Sequence, residues 1–235
     1  MSENIIILGA SGGIGSQLVD DLAETSFNLL LGYHKVLPSV ATSAESRPVD
    51  ATDFNSVNSL IEYGLDTYGS VDAIVNLPGN LILKPAHLSS EEEFYTTIDL
   101  NLKSAFGVVR SAGRLLKNCS IVLMSTAAAS IGLANHELIA SAKSGVEGLV
   151  RSSAKTYARK DIRINSVAPG LVETPLSSKI VSNPIALKAS EKMHALGRIG
   201  KPKNISDMIR FLINPEHNWI TGQNFIIDGG LSSTK

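Results

Sequence analysis

The sequence predicts an α/β fold in which one doubly wound, mostly parallel sheet carries helices on both faces. Three observations predict it. Six short apolar runs alternate with longer segments of helical period: Ile5-Ile6-Ile7-Leu8, Leu29-Leu30-Leu31, Ala73-Ile74-Val75, Ile121-Val122-Leu123-Met124, Ile162 to Val167, and Asn224-Phe225-Ile226-Ile227. Most of these runs are continuously apolar, as expected of strands covered on both faces. A glycine-rich turn from Gly9 to Gly15 follows the first run directly and opens a segment whose Ile14, Leu18 and Leu22 share one helical face.

Strand, helix and strand in succession make right-handed crossover units, and ligands of such sheets bind at the carboxyl ends of the strands, where the connection order reverses. The turn at the end of the first run is therefore the first place to seek a site. With 235 residues and no shift in composition, the chain is expected to form one domain over 1–235. A hydrophobic content of 43% is enough for a large core. The stretch 174–200, broken by Pro175, Ser177-Ser178, Asn183-Pro184 and Gly197, is the expected mobile lid.

Composition also removes whole classes of function. A formal charge of −1 and the absence of a Lys/Arg run argue against a nucleic-acid footprint. Cys119 is the one cysteine, so no intrachain disulfide forms, and no metal site is expected. No apolar run approaches the ~18 residues of a membrane span, and the first strand begins by Asn4 or Ile5, ahead of which no leader is expected. The expected setting is cytoplasmic, with a small molecule as the substrate.

Glycines in Leu8-Gly9-Ala10-Ser11-Gly12-Gly13-Ile14-Gly15 let the backbone approach a pyrophosphate, whose charge is favoured at the helix N-terminus. Gly9, Ser11, Gly13, Ile14 and Gly15 are the candidate contacts. Dinucleotide folds usually place a carboxylate after the second strand to hold the ribose 2′-hydroxyl, but Leu31-Gly32-Tyr33-His34-Lys35 has none. Lys35, with His34, is instead suited to a 2′-phosphate, which favours NADP over NAD. A solvated loop charge is the plain alternative for Lys35.

With this turn, Ala140-Ser141-Ala142-Lys143-Ser144-Gly145 resembles the short-chain dehydrogenase/reductase family, particularly members like 3-oxoacyl-carrier-protein reductases, and the likeness spans nearly the whole chain. The resemblance implies a Rossmann-like domain that transfers hydride between a nicotinamide cofactor and a small carbonyl, alcohol or 3-oxoacyl substrate. By it, Asp50 and the adjoining Ala51 lie beside the adenine; the other reading of Asp50 is an N-cap for the helix holding Val57 and Leu60. Asn76 and Gly79 match the loop after the fourth strand, with Pro78 a departure that removes a backbone donor. Pro169 and Gly170 correspond to the segment under the nicotinamide, and Thr174 to a contact with its carboxamide or the phosphates.

For the reaction, the resemblance assigns Asn101 to a proton-relay water and Lys143 to the nicotinamide ribose. Thr126, thirteen residues before position 139, stands where the family has the serine that hydrogen-bonds the substrate oxygen, with Ser125 as the neighbouring hydroxyl. The tyrosine that donates the proton is absent: Ile139 occupies its place, four residues before Lys143. A positioned general acid contributes ~10²- to 10⁴-fold, so another donor is needed for full activity. His136, with Glu137 beside it, is the candidate if the helix already runs through 134–136, since residues 136, 139 and 143 then share a face. Two readings remain open: an oxidoreductase with an altered proton path, or a nucleotide-binding pseudoenzyme acting as sensor or partner subunit. The family likeness also implies a homodimer or homotetramer built through the helices around 100–116 and 144–157 and the last strand. The apolar Val146, Leu149 and Val150 exceed what one sheet-facing stripe requires.

Overall fold

The computed structural model describes residues 3–23, 27–39 and 44–234. Strands β1 (Asn4–Leu8), β2 (Asn28–Tyr33), β3 (Glu45–Pro48), β4 (Ala73–Asn76), β5 (Ser120–Met124), β6 (Arg163–Pro169) and β7 (Asn224–Ile227) build one sheet in the order β3-β2-β1-β4-β5-β6-β7. Every pairing is parallel. The helices are α1 (Gly13–Ala23), α2 (Phe54–Tyr68), α3 (Glu91–Ile98), α4 (Ser104–Leu115), α5 (Glu137–Tyr157), α6 (Ser178–Val181), α7 (Pro184–Met193) and α8 (Pro202–Ile213). Among the described residues no helix is long and apolar enough to cross a membrane.

Side chains alternate across the strands and so feed two cores. Ile6, Leu8, Leu30, Ile74, Ile121 and Leu123 meet α2, α4 and α5 through Val57, Ile61, Val108, Val146 and Val150. Ile5, Ile7, Leu29, Leu31, Val75 and Val122 meet α1 and α8 through Leu18, Leu22, Ile205 and Ile209. Burial on both faces is why the sequence runs are continuously apolar. Strand β3, Glu45-Ser46-Arg47-Pro48, has no apolar run because it is the sheet edge, paired only with β2 and half open to solvent.

Local signals set the ends of the elements. Asp53 caps α2, its side chain accepting from Asn55 N at 2.9 Å. The capping role open to Asp50 therefore belongs to Asp53; Asp50 instead accepts from Thr52 N and Thr52 Oγ1 at 2.9 and 2.8 Å, which holds its carboxyl below the usual range. Ser90 and Glu93 form a reciprocal capping box at α3. Val146 and Val150 both lie in the core beside the sheet, so that pair needs no second surface, whereas Leu149 is only half-buried. The sheet order reverses between β1 and β4, and the carboxyl ends of these two strands frame the cavity described next.

Candidate active site

A cavity of about 430 Å³ opens at these strand ends, between the glycine-rich turn, the loop after β4, the N-terminal half of α5 and the segment after β6. At its nucleotide end lie Gly9, Ser11, Gly13, Ile14 and Gly15. The first-turn N–H groups of a helix have no intrahelical acceptor, and α1 has no carboxylate in that turn to compete for them. Thr174 packs directly over Gly13: a Cβ there would come within 2.9 Å of the threonine side chain. The turn is thus a cradle of backbone donors that side chains would fill, which fits a dinucleotide pyrophosphate.

His34 and Lys35 follow β2 and are exposed, as is Asp50; none of them, nor buried Ala51, lines the enclosed part of the cavity. Asn76 does not line it either. It is buried, and its Nδ2 donates to Ser104 Oγ at 3.4 Å, fastening β4 to the start of α4. Its Oδ1 has no partner among the described residues. Gly79, Pro169, Gly170 and Thr174 do form cavity wall. Pro78 leans on Gly9, whose added Cβ would lie 3.0 Å from the proline nitrogen, so the loop is stiffened against the turn.

At the reaction end Asn101, Thr126, Ile139 and Lys143 all face the cavity. Asn101 sits in a π-helical stretch, 99–103, that joins α3 to α4. Its Nδ2 donates to Thr97 O at 2.9 Å and to Asn80 Oδ1 at 2.7 Å, while its Oδ1, though buried, has no partner among the described residues. The widened turn and the side-chain bond to a backbone carbonyl occur together, as π-bulges at functional sites do. A Cβ on Gly79 would lie 2.8 Å from Asn101 Oδ1 and 3.8 Å from Lys143 Nζ, so the two polar groups converge over this glycine.

Lys143 is 7% exposed and donates to Met124 O at 2.9 Å, leaving two of its three N–H donors for the cavity. Burial pushes its pKa down to about 8. Of the two hydroxyls after β5, Ser125 is committed elsewhere: it donates to Glu147 Oε1 at 2.7 Å, and the same oxygen accepts from Asn224 Nδ2 at 2.9 Å. That bond set ties α5 to β5 and β7. Thr126 holds only long contacts, 3.4 Å from Ala128 N and 3.5 Å to Pro169 O, and its hydroxyl remains ready for a ligand.

His136 is placed differently from the sequence expectation. Helix α5 begins at Glu137, Asn135 has a left-handed φ of 65°, and His136 precedes the helix with its Nδ1 2.8 Å from Ala134 O. The condition for a shared face with Ile139 and Lys143 is not met, and the imidazole does not line the cavity. Ile139 itself is 4% exposed and closes the wall with an apolar surface. Asn80, Glu147 and Ser177 belong to the site's framework and carry no spacing signal that marks them in the sequence.

The comparisons with known proteins agree with this geometry. The family described as Enoyl-(Acyl carrier protein) reductase matches residues 9–232. The 3-oxoacyl-[acyl-carrier-protein] reductase FabG of Thermotoga maritima is 32% identical over 240 residues, covering 96% of each chain. A hydroxynaphthalene reductase-like protein, Arp2 of Metarhizium anisopliae, is 31% identical over 96% of this chain and 93% of its own. Among solved structures, ElxO with NADP bound superposes with a TM-score of 0.92 at 26% identity over the full length of both chains, and the ligand-free aldohexose dehydrogenase of Thermoplasma acidophilum with 0.89 at 28%, over 100% of this chain and 95% of that one. The parallel sheet, the glycine cradle and the match along almost the entire chain place this protein in the short-chain dehydrogenase/reductase family of oxidoreductases.

Proposed function

We propose that this protein interconverts a small carbonyl compound and its alcohol with NADP as cofactor, and that Lys143 supplies the proton in place of the missing tyrosine. One observation carries the reading: among the described residues that line the cavity, Lys143 is the only one whose side chain titrates. The choice of NADP rests on exposed His34 and Lys35 at the end of β2, where a carboxylate would favour NAD, and on the NADP-bound relative. His34 and Lys35 hold the 2′-phosphate, Asp50 and Ala51 flank the adenine, and the turn from Gly9 to Gly15 takes the pyrophosphate. Pro169, Gly170 and Thr174 seat the nicotinamide, which when bound supplies the hydride.

The remaining chemistry belongs to the chain. Thr126 donates to the substrate oxygen and orients the carbonyl. As negative charge develops on that oxygen, an N–H bond of the Lys143 ammonium breaks and an O–H bond forms, leaving the neutral amine, which regains its proton from water held at Asn101 Oδ1. A lysine with a pKa of about 8 is protonated at neutral pH and still gives up a proton readily. Ile139 fills less of the wall than a tyrosine ring, so a substrate reaches one side chain deeper, toward Nζ.

The relatives make 3-oxoacyl thioesters the first substrates to try, beside simple ketones. Exposed Phe106 on α4, with half-buried Leu149 on α5, supports assembly through these helices into a homodimer or homotetramer. The test is NADPH consumption with acetoacetyl-coenzyme A and a ketone panel, run beside Ile139→Tyr. The parent is expected to turn over, with the variant faster by ~10-fold or more. A silent parent beside an active variant would mean a scaffold whose acid has been lost, and would sink the reading.

A further inference from the structure

The segment that leaves β6 after Pro169 and returns before α8 is pinched at its base by backbone bonds: Glu173 N donates to Gly200 O at 2.9 Å, and Gly200 N to Leu171 O at 2.8 Å. Beyond that neck it carries α6 and α7, and α7 has no buried residue at all. Ile185, Met193 and Leu196 stand in solvent, at 83%, 47% and 66% exposure. From 178 to 200 a single residue is buried, and it is polar: His194, 4% exposed, at the C-terminal end of α7.

Both ring nitrogens of His194 are engaged. Nδ1 lies 2.6 Å from Ser190 O and Nε2 3.3 Å from Leu171 N. A backbone N–H can only donate, so Nε2 is the acceptor and the proton sits on Nδ1, directed to Ser190 O. The ring therefore works as the neutral Nδ1–H tautomer, joining the last turn of α7 to the cavity-lining Leu171. Its approach also accounts for Gly170: a Cβ there would come 2.7 Å from Nε2 and 3.0 Å from Asp228 Cα, so a larger residue would expel the imidazole.

We propose that His194 is a positioning residue that latches the 178–199 segment to the floor of the cavity through Leu171, and that, beside the backbone bond from Leu196 N to Gly229 O at 3.1 Å, it is the side chain that sets the closed state of this lid. An element with almost no buried apolar surface opens at low cost, so the polar contact decides its population. The inference stands on geometry and holds whether or not the cavity turns a substrate over.

Three variants separate the two bonds. His194→Leu keeps bulk and removes both, His194→Gln offers Oε1 where Nε2 accepts from Leu171, and His194→Asn offers Nδ2 where Nδ1 donates to Ser190. Amide hydrogen exchange of the purified chain is the readout, with β5 and α8 as internal references and NADPH affinity by fluorescence alongside. In His194→Leu, exchange across 178–199 and at Leu171 is expected to rise on the order of ten- to a hundredfold, the worth of two buried hydrogen bonds, with weaker NADPH binding and unchanged references. Gln restores protection and binding; Asn does not. Should Leu lower protection throughout the sheet, the contrast of Gln with Asn decides. Parent-like exchange of 178–199 in the Leu variant, or Gln and Asn behaving alike, would overturn the latch.

Discussion

Two segments next to the cavity, one forming its wall and one continuing from its rim at Ser177, are built on opposite terms. Helix α5, on one side, sinks eight of its 21 residues, from Leu138 to Ala154, into the protein. The 178–200 segment, which follows the cavity-lining 174–177, sinks His194 alone. The first owes its position to apolar packing against the sheet, so the groups it carries, Ile139 and Lys143, are fixed with the core. The second owes its position to hydrogen bonds at its neck, at Leu196 N to Gly229 O, and at its latch. On the proposed function, a fixed proton donor belongs on α5 and a movable element beyond the rim.

The sharpest way to break this comparison is to remove the fixed donor. Lys143→Met is expected to lower kcat for carbonyl reduction by ~10²- to 10⁴-fold while the cradle at α1 still binds NADPH. In the parent, reduction should be steady below pH 8 and fall about tenfold per pH unit above it, as the ammonium of Lys143 is lost. The reverse reaction, which needs the amine, should rise through the same window. A variant that retains parent activity and its pH profile would place the donor on some other group and empty α5 of its catalytic role.

The same lysine makes α5 answer to pH in stability, with the opposite sign to its benefit in catalysis. Its folded pKa of about 8 lies below the ~10.4 of an unfolded lysine, so the folded chain binds that proton less tightly. Below pH 8 both states are charged and burial costs on the order of 3 kcal/mol; between pH 8 and ~10.4 the cost fades, and stability rises. Urea midpoints at pH 7, 8.5 and 10 should show this rise in the parent and not in Lys143→Met, which should also be the more stable protein at pH 7. Parallel pH curves for the two would contradict a buried, desolvated ammonium.

What could be seen in the sequence follows the same division. Elements fixed by apolar packing were legible: the strand runs, the turn at Gly9, and α5 with Lys143 and Ile139 in their places. The nucleotide end was legible because it is made of backbone, whose requirement for glycine is visible as spacing. Strand β3 was hidden because an edge needs no apolar run. The bond from Asn76 to Ser104 was not legible, since strand direction alone does not say what a side chain at a strand end touches. The condition set for His136 turned on a helix boundary: α5 starts at Glu137 and does not include 134–136, after a left-handed Asn135. His194 gave no signal at all, because its partners are backbone groups 4 and 23 residues away, joined only once the segment folds back.

The smallest expected effects draw the comparison most finely. Val146, fully buried on α5, touches the sheet core, and Val146→Ala removes two methyl groups there; loss of their burial plus the residual cavity should cost about 2 kcal/mol of global stability. Ile185, on α7, is larger, yet 83% of it is already in water, so Ile185→Ala should change global stability by less than ~0.5 kcal/mol. Denaturant titration of the two single variants reads both numbers on one scale. Because Ile185 lies on the segment that opens locally, its small effect should appear in hydrogen exchange of 178–199 before it appears in the unfolding midpoint. An Ile185 variant that lost as much global stability as the Val146 variant would mean that the 178–200 segment is packed like α5, and that no single side chain holds it shut.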